Sequence, residues 1–284
     1  MIVVTGATGQ LGQLVIESLL EKIGAQQIVA AVRTPDKAKE LAAHGIQIRE
    51  ADYSRPETLS SAFAGAEKVL LISSNDVGQR LAQHQAVVDA AVEAGVKLLA
   101  YTSILRADTS ALELAIDHKQ TEEYIRDSGL PFVFLRNGWY VENQTASLGA
   151  ALEHGAIIGA AGDGRFAAAS RKDYAEAAAT VLTSEAQENK IYELGGDEPY
   201  TLSELAAEVS RQTSKPVIYH NLSKEEYAQA LAGFGLPAPL AEILADADVK
   251  ASQGGLDSAS NELSALIGHP TTSLSDAVAE ALAA

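Results

Sequence analysis

Thr5-Gly6-Ala7-Thr8-Gly9-Gln10-Leu11-Gly12 comes directly after the short apolar run Ile2-Val3-Val4. Glycines at this spacing, between an apolar run and a helical repeat, build a turn whose bare backbone amides attract a pyrophosphate. Gly6 permits the tight turn, Gly9 lets a phosphate approach the backbone, and Gly12 lets the next helix lie close to the sheet. The spacing is G-x-x-G-x-x-G rather than G-x-G-x-x-G, so its place after one strand-like run and before another carries the reading. The expected ligand is a dinucleotide, cradled by Gly6, Ala7, Thr8, Gly9, Gln10 and Leu11.

Further residues specify that ligand. Arg33 closes the second strand-like run, Gln27–Val32. About 20 residues beyond the glycines, an NAD site usually carries an acid for the ribose hydroxyls. An arginine there suits a 2′-phosphate, which its guanidinium meets in fork geometry. The expected cofactor is therefore NADPH, with Lys37 either assisting or standing as a solvated helix charge. Asp52 comes after the third strand, where it either accepts from an adenine amino group or forms a turn with Ser54. Ser73, Ser74 and Asn75 come after the fourth strand, on the cofactor's ribose and nicotinamide side.

These residues need a scaffold, and the hydrophobic pattern supplies one. From Leu11 the apolar residues take helical spacing (Val15, Leu19, Ile23). Strand-like runs at Ile46–Arg49, Lys68–Ile72, Val96–Tyr101 and Pro131–Leu135 alternate with helical stretches at 36–43, 56–63, 79–94 and 112–127. Such alternation predicts an α/β fold of Rossmann type, a doubly wound parallel sheet with its ligand crevice at the strands' carboxyl ends. After Arg136 the pattern loosens. Short strands are expected within 155–164 and at 191–194 and 217–220, with helices at 172–183, 201–213 and 223–232. The expected division is a cofactor-binding core over 1–136 and a mixed part over 137–284. That part adds to the core and forms a smaller substrate lobe.

Composition narrows the function classes. The chain of 284 residues has a formal net charge of −17, which disfavours nucleic acid and anionic membrane as partners. It contains no cysteine, which excludes disulfides, thiolate catalysis and thiolate metal sites. His44, His84, His154, His220 and His269 lack ligand spacing, so no metal is expected and structural roles are the default. No apolar stretch is long enough for a bilayer, and the expectation is a cytoplasmic protein, a monomer or weak homodimer.

Val4 to Gly12, Tyr101-Thr102-Ser103 and Leu135-Arg136-Asn137-Gly138-Trp139-Tyr140 together resemble the atypical short-chain dehydrogenases of the NmrA-like group. Leu71-Ile72-Ser73-Ser74, Glu142-Asn143 and Leu266 to Thr272 bring the chain nearest to the bacterial NAD(P)H:quinone oxidoreductase subgroup, over essentially its whole length. The resemblance implies that the Gly6–Leu11 loop, Arg33, Ser73–Asn75 and Gly138–Asn143 (Gly138, Trp139, Tyr140, Val141, Glu142 and Asn143) line an NADP(H) site. It also exposes a departure. Typical short-chain dehydrogenases use a serine and then Tyr-x-x-x-Lys. Ser103 fits the serine, but the pair falls on Leu114 and His118, and Lys119 is one residue out of register. Phenolate-assisted alcohol oxidation is therefore disfavoured. A quinone fits better, because it accepts hydride readily and its reduced oxygens become phenolic.

On this reading Ser103, His118 and Tyr140 are the candidate catalytic residues. His118 either donates a proton or only orients the nicotinamide ribose. Trp139 and Tyr140 either form a flat wall for the quinone, with Asn143 orienting a carbonyl, or pack the lobe. The expected activity is direct hydride transfer from NADPH to a small-molecule quinone without flavin. Reduction of dyes or other conjugated electrophiles, and NADP sensing without turnover, are the alternatives.

Overall fold

The computed structural model describes residues 1–76 and 78–283 and divides them into two compact units. The first comprises Met1–Ala107, Asp117–Asn137 and Arg171–Tyr192. Its elements alternate as the apolar pattern dictates: β1 (Ile2–Thr5), α1 (Gln10–Leu20), β2 (Ile28–Val32), α2 (Lys39–Ala43), β3 (Gln47–Glu50), α3 (Pro56–Ala62), β4 (Lys68–Leu71), α4 (Arg80–Glu93), β5 (Leu98–Ile104), α5 (Ala115–Asp127) and β6 (Phe132–Asn137). The sheet order is β3-β2-β1-β4-β5-β6, with a seventh strand at Lys190–Leu194 beside β6. Every pair from β3 to β6 is parallel. The order reverses at β1, which is the switch point where an open parallel sheet takes its ligand.

Strands β1, β2 and β5 are buried along their whole length, as expected for strands covered on both faces. One core packs Val3, Val29, Val69, Leu71, Leu99 and Phe134 of the sheet against Leu59, Phe63, Val87 and Val88 of α3, its C-cap and α4. On α1 a Cβ added to Gly12 would stand 2.3 Å from the Gly6 carbonyl oxygen and 2.8 Å from Ala7 Cα. Only glycine lets the helix start this close to the turn, as its spacing predicts.

The second unit comprises Asp108–Ile116, Gly138–Ser170 and Glu193–Ala284. It carries α6 (Glu142–Thr145), α7 (Leu148–His154) and β7 (Ala156–Gly159), while α8 (Arg171–Thr183) and most of β8 (Lys190–Leu194) belong to the first unit. The second unit continues with α9 (Leu202–Thr213), β9 (Ile218–Asn221), α10 (Lys224–Gly233), α11 (Ala238–Ser252), α12 (Glu262–Ile267) and α13 (Leu274–Ala283). Strands β7 and β9 form a small parallel sheet. Thr201 and Ser223 head α9 and α10 with complete capping boxes. Among the described residues no helix is long and apolar enough to cross a membrane.

Two strand ends lie further on than the apolar runs predict. β5 continues through Thr102 and Ser103, and β6 through Arg136 and Asn137. Apolar periodicity cannot extend a strand into polar residues. Here Thr102 pairs with the backbone after β4, and Ser103 and Arg136 meet the Glu122 carboxylate of α5.

Candidate active site

The expected cofactor residues of the first unit all lie just past the carboxyl ends of neighbouring parallel strands: Gly6–Leu11 after β1, Arg33 after β2, Asp52 after β3 and Ser73–Asn75 after β4. Gly6 adopts φ +58°, and its carbonyl accepts from the Gly9 amide at 2.9 Å. Gly9 caps α1 in extended conformation with no side-chain hydrogen bond to the first amides. The helix thus opens on unblocked N–H groups, flanked by exposed Gly6, Gly9 and Gln10 and half-buried Thr8. Ala7 and Leu11 are buried and anchor the turn. A Cβ on Gly9 would meet only the Gly6 carbonyl, at 3.1 Å. A cradle that a side chain would fill, over bare helix amides, fits a pyrophosphate.

Tyr53, which sequence reasoning passed over, ties the strand ends together. Its buried hydroxyl meets Thr5 Oγ1 and donates to the Ile72 carbonyl at 2.9 Å. Burial holds this phenol well above its ordinary ionisation range, so it stays a donor. Arg33 is exposed and has no hydrogen-bond or ion-pair partner among the described residues, and the same holds for the Lys37 side chain. Asp52 accepts from the Ser54 amide at 3.0 Å and from Arg55 Nε at 3.3 Å, so it makes the turn that was one of its two sequence readings.

The segment after β4 is held from several sides. Ile72 N–H donates to Thr5 Oγ1 at 3.1 Å and Ser73 N–H to Thr102 Oγ1 at 2.8 Å. Ser74 N–H donates to His84 Nε2 at 2.9 Å. Asn75 is exposed.

Ser103 and His118 are both buried and already engaged. Ser103 is buried on β5 and donates to Glu122 Oε1 at 2.7 Å. The same carboxylate takes Arg136 Nε at 2.8 Å and Nη2 at 2.7 Å, with Arg126 Nη2 at 3.3 Å. Neither Glu122 nor Arg136 is legible as a buried pair from composition, because only the packing of α5 beside β6 brings them together. A hydroxyl already donating to a buried carboxylate is a poor proton source for a substrate. His118 is 6% exposed, and its Nδ1 lies 2.7 Å from the Tyr101 hydroxyl. Burial, with the Arg80 charge and His84 adding to it, pushes the imidazole well below its ordinary value, so the ring is neutral. Lys119 is exposed, consistent with its register.

In the second unit, Gly138–Asn143 runs beside Ala169. Ala169 N–H donates to Trp139 O at 3.1 Å, and Val141 N–H to Ala169 O at 3.0 Å. Gly138 N–H donates to Leu194 O at 2.7 Å. Trp139 and Val141 are buried, Tyr140 and Glu142 are half-buried, and Asn143 is exposed. Trp139, 8% exposed, has little ring surface left for a substrate, whereas Tyr140 has more.

Comparison with known proteins identifies the family. A family model described as NAD(P)H-binding matches residues 6–185. The chain is 57% identical over 278 residues to Quinone oxidoreductase 2 of Escherichia coli strain K12, covering 98% of this chain and 97% of that protein. The crystal structure of the Escherichia coli NADPH-dependent quinone oxidoreductase complexed with NADPH superposes with a TM-score of 0.97 at 56% identity, covering 99% and 100% of the two chains. The Citrobacter sp. triphenylmethane reductase complexed with NADP(H) superposes with a TM-score of 0.94 at 43% identity, covering 99% and 100%. The chain thus belongs to the NAD(P)H-binding family, in the NmrA-like group that its glycine turn and its Asn137-Gly138-Trp139-Tyr140 motif implied.

Proposed function

We propose that this protein is an NADPH-dependent quinone reductase that transfers hydride directly, without flavin. The observation that carries the reading is the open glycine cradle, with Arg33 after β2 lacking a partner among the described residues, in a chain 57% identical to Quinone oxidoreductase 2. Bound NADPH would supply the hydride.

The chain's own residues bind, orient and leave room. Gly6–Leu11 would hold the pyrophosphate on the α1 amides. Arg33 would pair with the 2′-phosphate, since no described residue competes for its guanidinium. Ser73–Asn75 and Gly138–Asn143 complete the cofactor set carried over from the resemblance, and Tyr140 is the proposed face for a flat acceptor. Neither Ser103, which donates to Glu122, nor neutral His118 is a strong acid here. The reaction does not need one. Hydride addition leaves the quinone as a stabilised phenolate anion, which solvent can protonate.

The test is NADPH consumption, monitored by nicotinamide absorbance, with a panel of quinones and with and without added flavin. Turnover without flavin, faster with NADPH than NADH, is expected. Tight NADPH binding with no quinone reduced would leave a sensor. The 43% identity to a triphenylmethane reductase supports a second reading, so triphenylmethane dyes belong in the panel. The monomeric or weakly dimeric state and cytoplasmic location belong to the same proposal; sedimentation and cell fractionation check them.

A further inference from the structure

The first turns of α4 and the segment after β4 make an arrangement that cofactor binding alone does not require. Arg80, Gln83 and His84 stand at i, i+3 and i+4, on one face of the helix. All three reach Ser74. Arg80 Nε donates to the Ser74 carbonyl at 2.6 Å, Ser74 Oγ donates to Gln83 Oε1, and the Ser74 amide donates to His84 Nε2 at 2.9 Å. Each polar group of one residue is thereby held by one helix face.

The holders are themselves held. His84 is fully buried, and its Nδ1 lies 2.9 Å from Thr121 Oγ1, which donates to the Asp117 carbonyl at 2.8 Å. Because Nε2 accepts from a backbone amide, it carries no proton, and Nδ1–H donates to Thr121. That fixes the neutral tautomer. Burial agrees, since it pushes this imidazole down to about 3, with the Arg80 charge adding to the effect. Arg80 is buried too, and its Nη1 meets Asp117 Oδ2 at 3.4 Å. Thr102 holds Ser73 N–H from β5. Within this clamped stretch no described residue donates to the Ser73 carbonyl.

We propose that His84 and Arg80 are positioning residues for the reaction: by clamping the amide and carbonyl of Ser74 from α4, they set the backbone of Ser73–Asn75 against the nicotinamide half of the cofactor. This rests on the reading that Ser73–Asn75 holds NADPH. The alternative is that the clamp only stabilises the fold.

His84→Phe removes both ring hydrogen bonds while keeping a ring in the space. His84→Gln offers an amide oxygen where Nε2 stood and can still accept from Ser74 N–H. NADPH titration, kcat and KM with a benzoquinone, and thermal melts are compared for the wild type and both variants. His84→Phe should raise the NADPH dissociation constant about tenfold, the scale of one lost hydrogen bond, and lower kcat. His84→Gln should recover most of both at a similar melting temperature. Equal affinity and kcat in the Phe and Gln variants, or losses that only track melting temperature, would overturn the proposal. If His84→Phe does not fold, Arg80→Lys decides: it keeps the charge beside Asp117 but withdraws the fixed Nε–H, and unchanged NADPH affinity there overturns the proposal. A wild type that binds no NADPH at all instead overturns the parent reading, and this inference with it.

Discussion

Arg33 is the proposed determinant of cofactor choice. It is exposed at the end of β2 and has no described partner, so a 2′-phosphate would meet a guanidinium that need not break another bond. A charge-assisted contact of this kind is worth roughly 1.5–3 kcal/mol, or about one to two decades in affinity. Arg33→Ala should weaken NADPH by that amount and leave NADH nearly unchanged in paired titrations; equal losses would remove Arg33 from the site. His118 sits at the opposite pole, buried, neutral and paired with Tyr101. His118→Ala should cost about tenfold in kcat, below the roughly 10²–10⁴ typical of general acid catalysis. The kcat profile should show no ionisation near neutrality that the variant abolishes. A loss in the upper range at unchanged NADPH affinity would make His118 the proton donor.

At the scale of elements, the glycine turn separates packing from binding. Gly12→Ala drives a methyl into the Gly6 carbonyl and Ala7 Cα, so α1 must lift off the turn. Overpacking of this kind costs typically about 1–3 kcal/mol. Gly9→Val meets only one backbone oxygen, at 3.1 Å, and its added bulk stands at the exposed mouth of the turn. Melts and NADPH titrations should therefore part: Gly12→Ala loses stability, while Gly9→Val stays folded and loses the cofactor. Unchanged affinity in a folded Gly9→Val protein would place the cradle elsewhere. Between β5, α5 and β6 the buried Ser103–Glu122–Arg136 cluster behaves differently again. Breaking a buried pair by removing one partner costs about 3–5 kcal/mol. Glu122→Leu should thus destabilise the first unit strongly, and a melting temperature indistinguishable from wild type, by calorimetry, would contradict that burial.

For the whole molecule, acid is the informative stress. His84 is pushed down to about 3 and His118 well below its ordinary value, both mainly by burial. In the unfolded chain both would titrate near about 6.5. Below that pH the unfolded state binds protons that the folded state refuses, so the stability these residues contribute is present above about 6.5 and lost progressively as pH falls toward about 3. Asp248, raised to about 6 by burial, acts in the opposite sense: its folded form gains protons first, adding stability as pH falls through about 6. Two histidines outweigh one carboxyl. The melting temperature should fall as pH drops from about 6.5 to about 4, and His84→Gln should flatten that slope. An unchanged slope would mean that the His84 ring is not the buried neutral group described.

The sequence alone carried everything that depends on local order. The alternation of apolar runs and helical repeats predicts the parallel sheet, and the glycines predict the turn, because φ near +58° at Gly6 and contact at Gly12 are backbone requirements that glycine meets without strain. The place of Arg33 just past β2 was legible because the apolar run of β2 ends at Val32. Helices α11 to α13 were not legible, since prolines, glycines and scattered alanines there leave no clear period and tertiary contacts decide the conformation. Nor were the strand ends at Ser103 and Asn137, where polar residues continue β5 and β6. Tertiary structure alone decided which polar groups meet. It gave Ser103 to Glu122 and Arg136 to the same carboxylate, Tyr101 to His118, and Ser74 to His84 and Arg80. Apart from the Ser74 contacts, which lie within ten positions, these pairs come from separate strands and helices. A buried polar atom must find its partner wherever packing brings one, and that demand leaves no periodic trace in the chain.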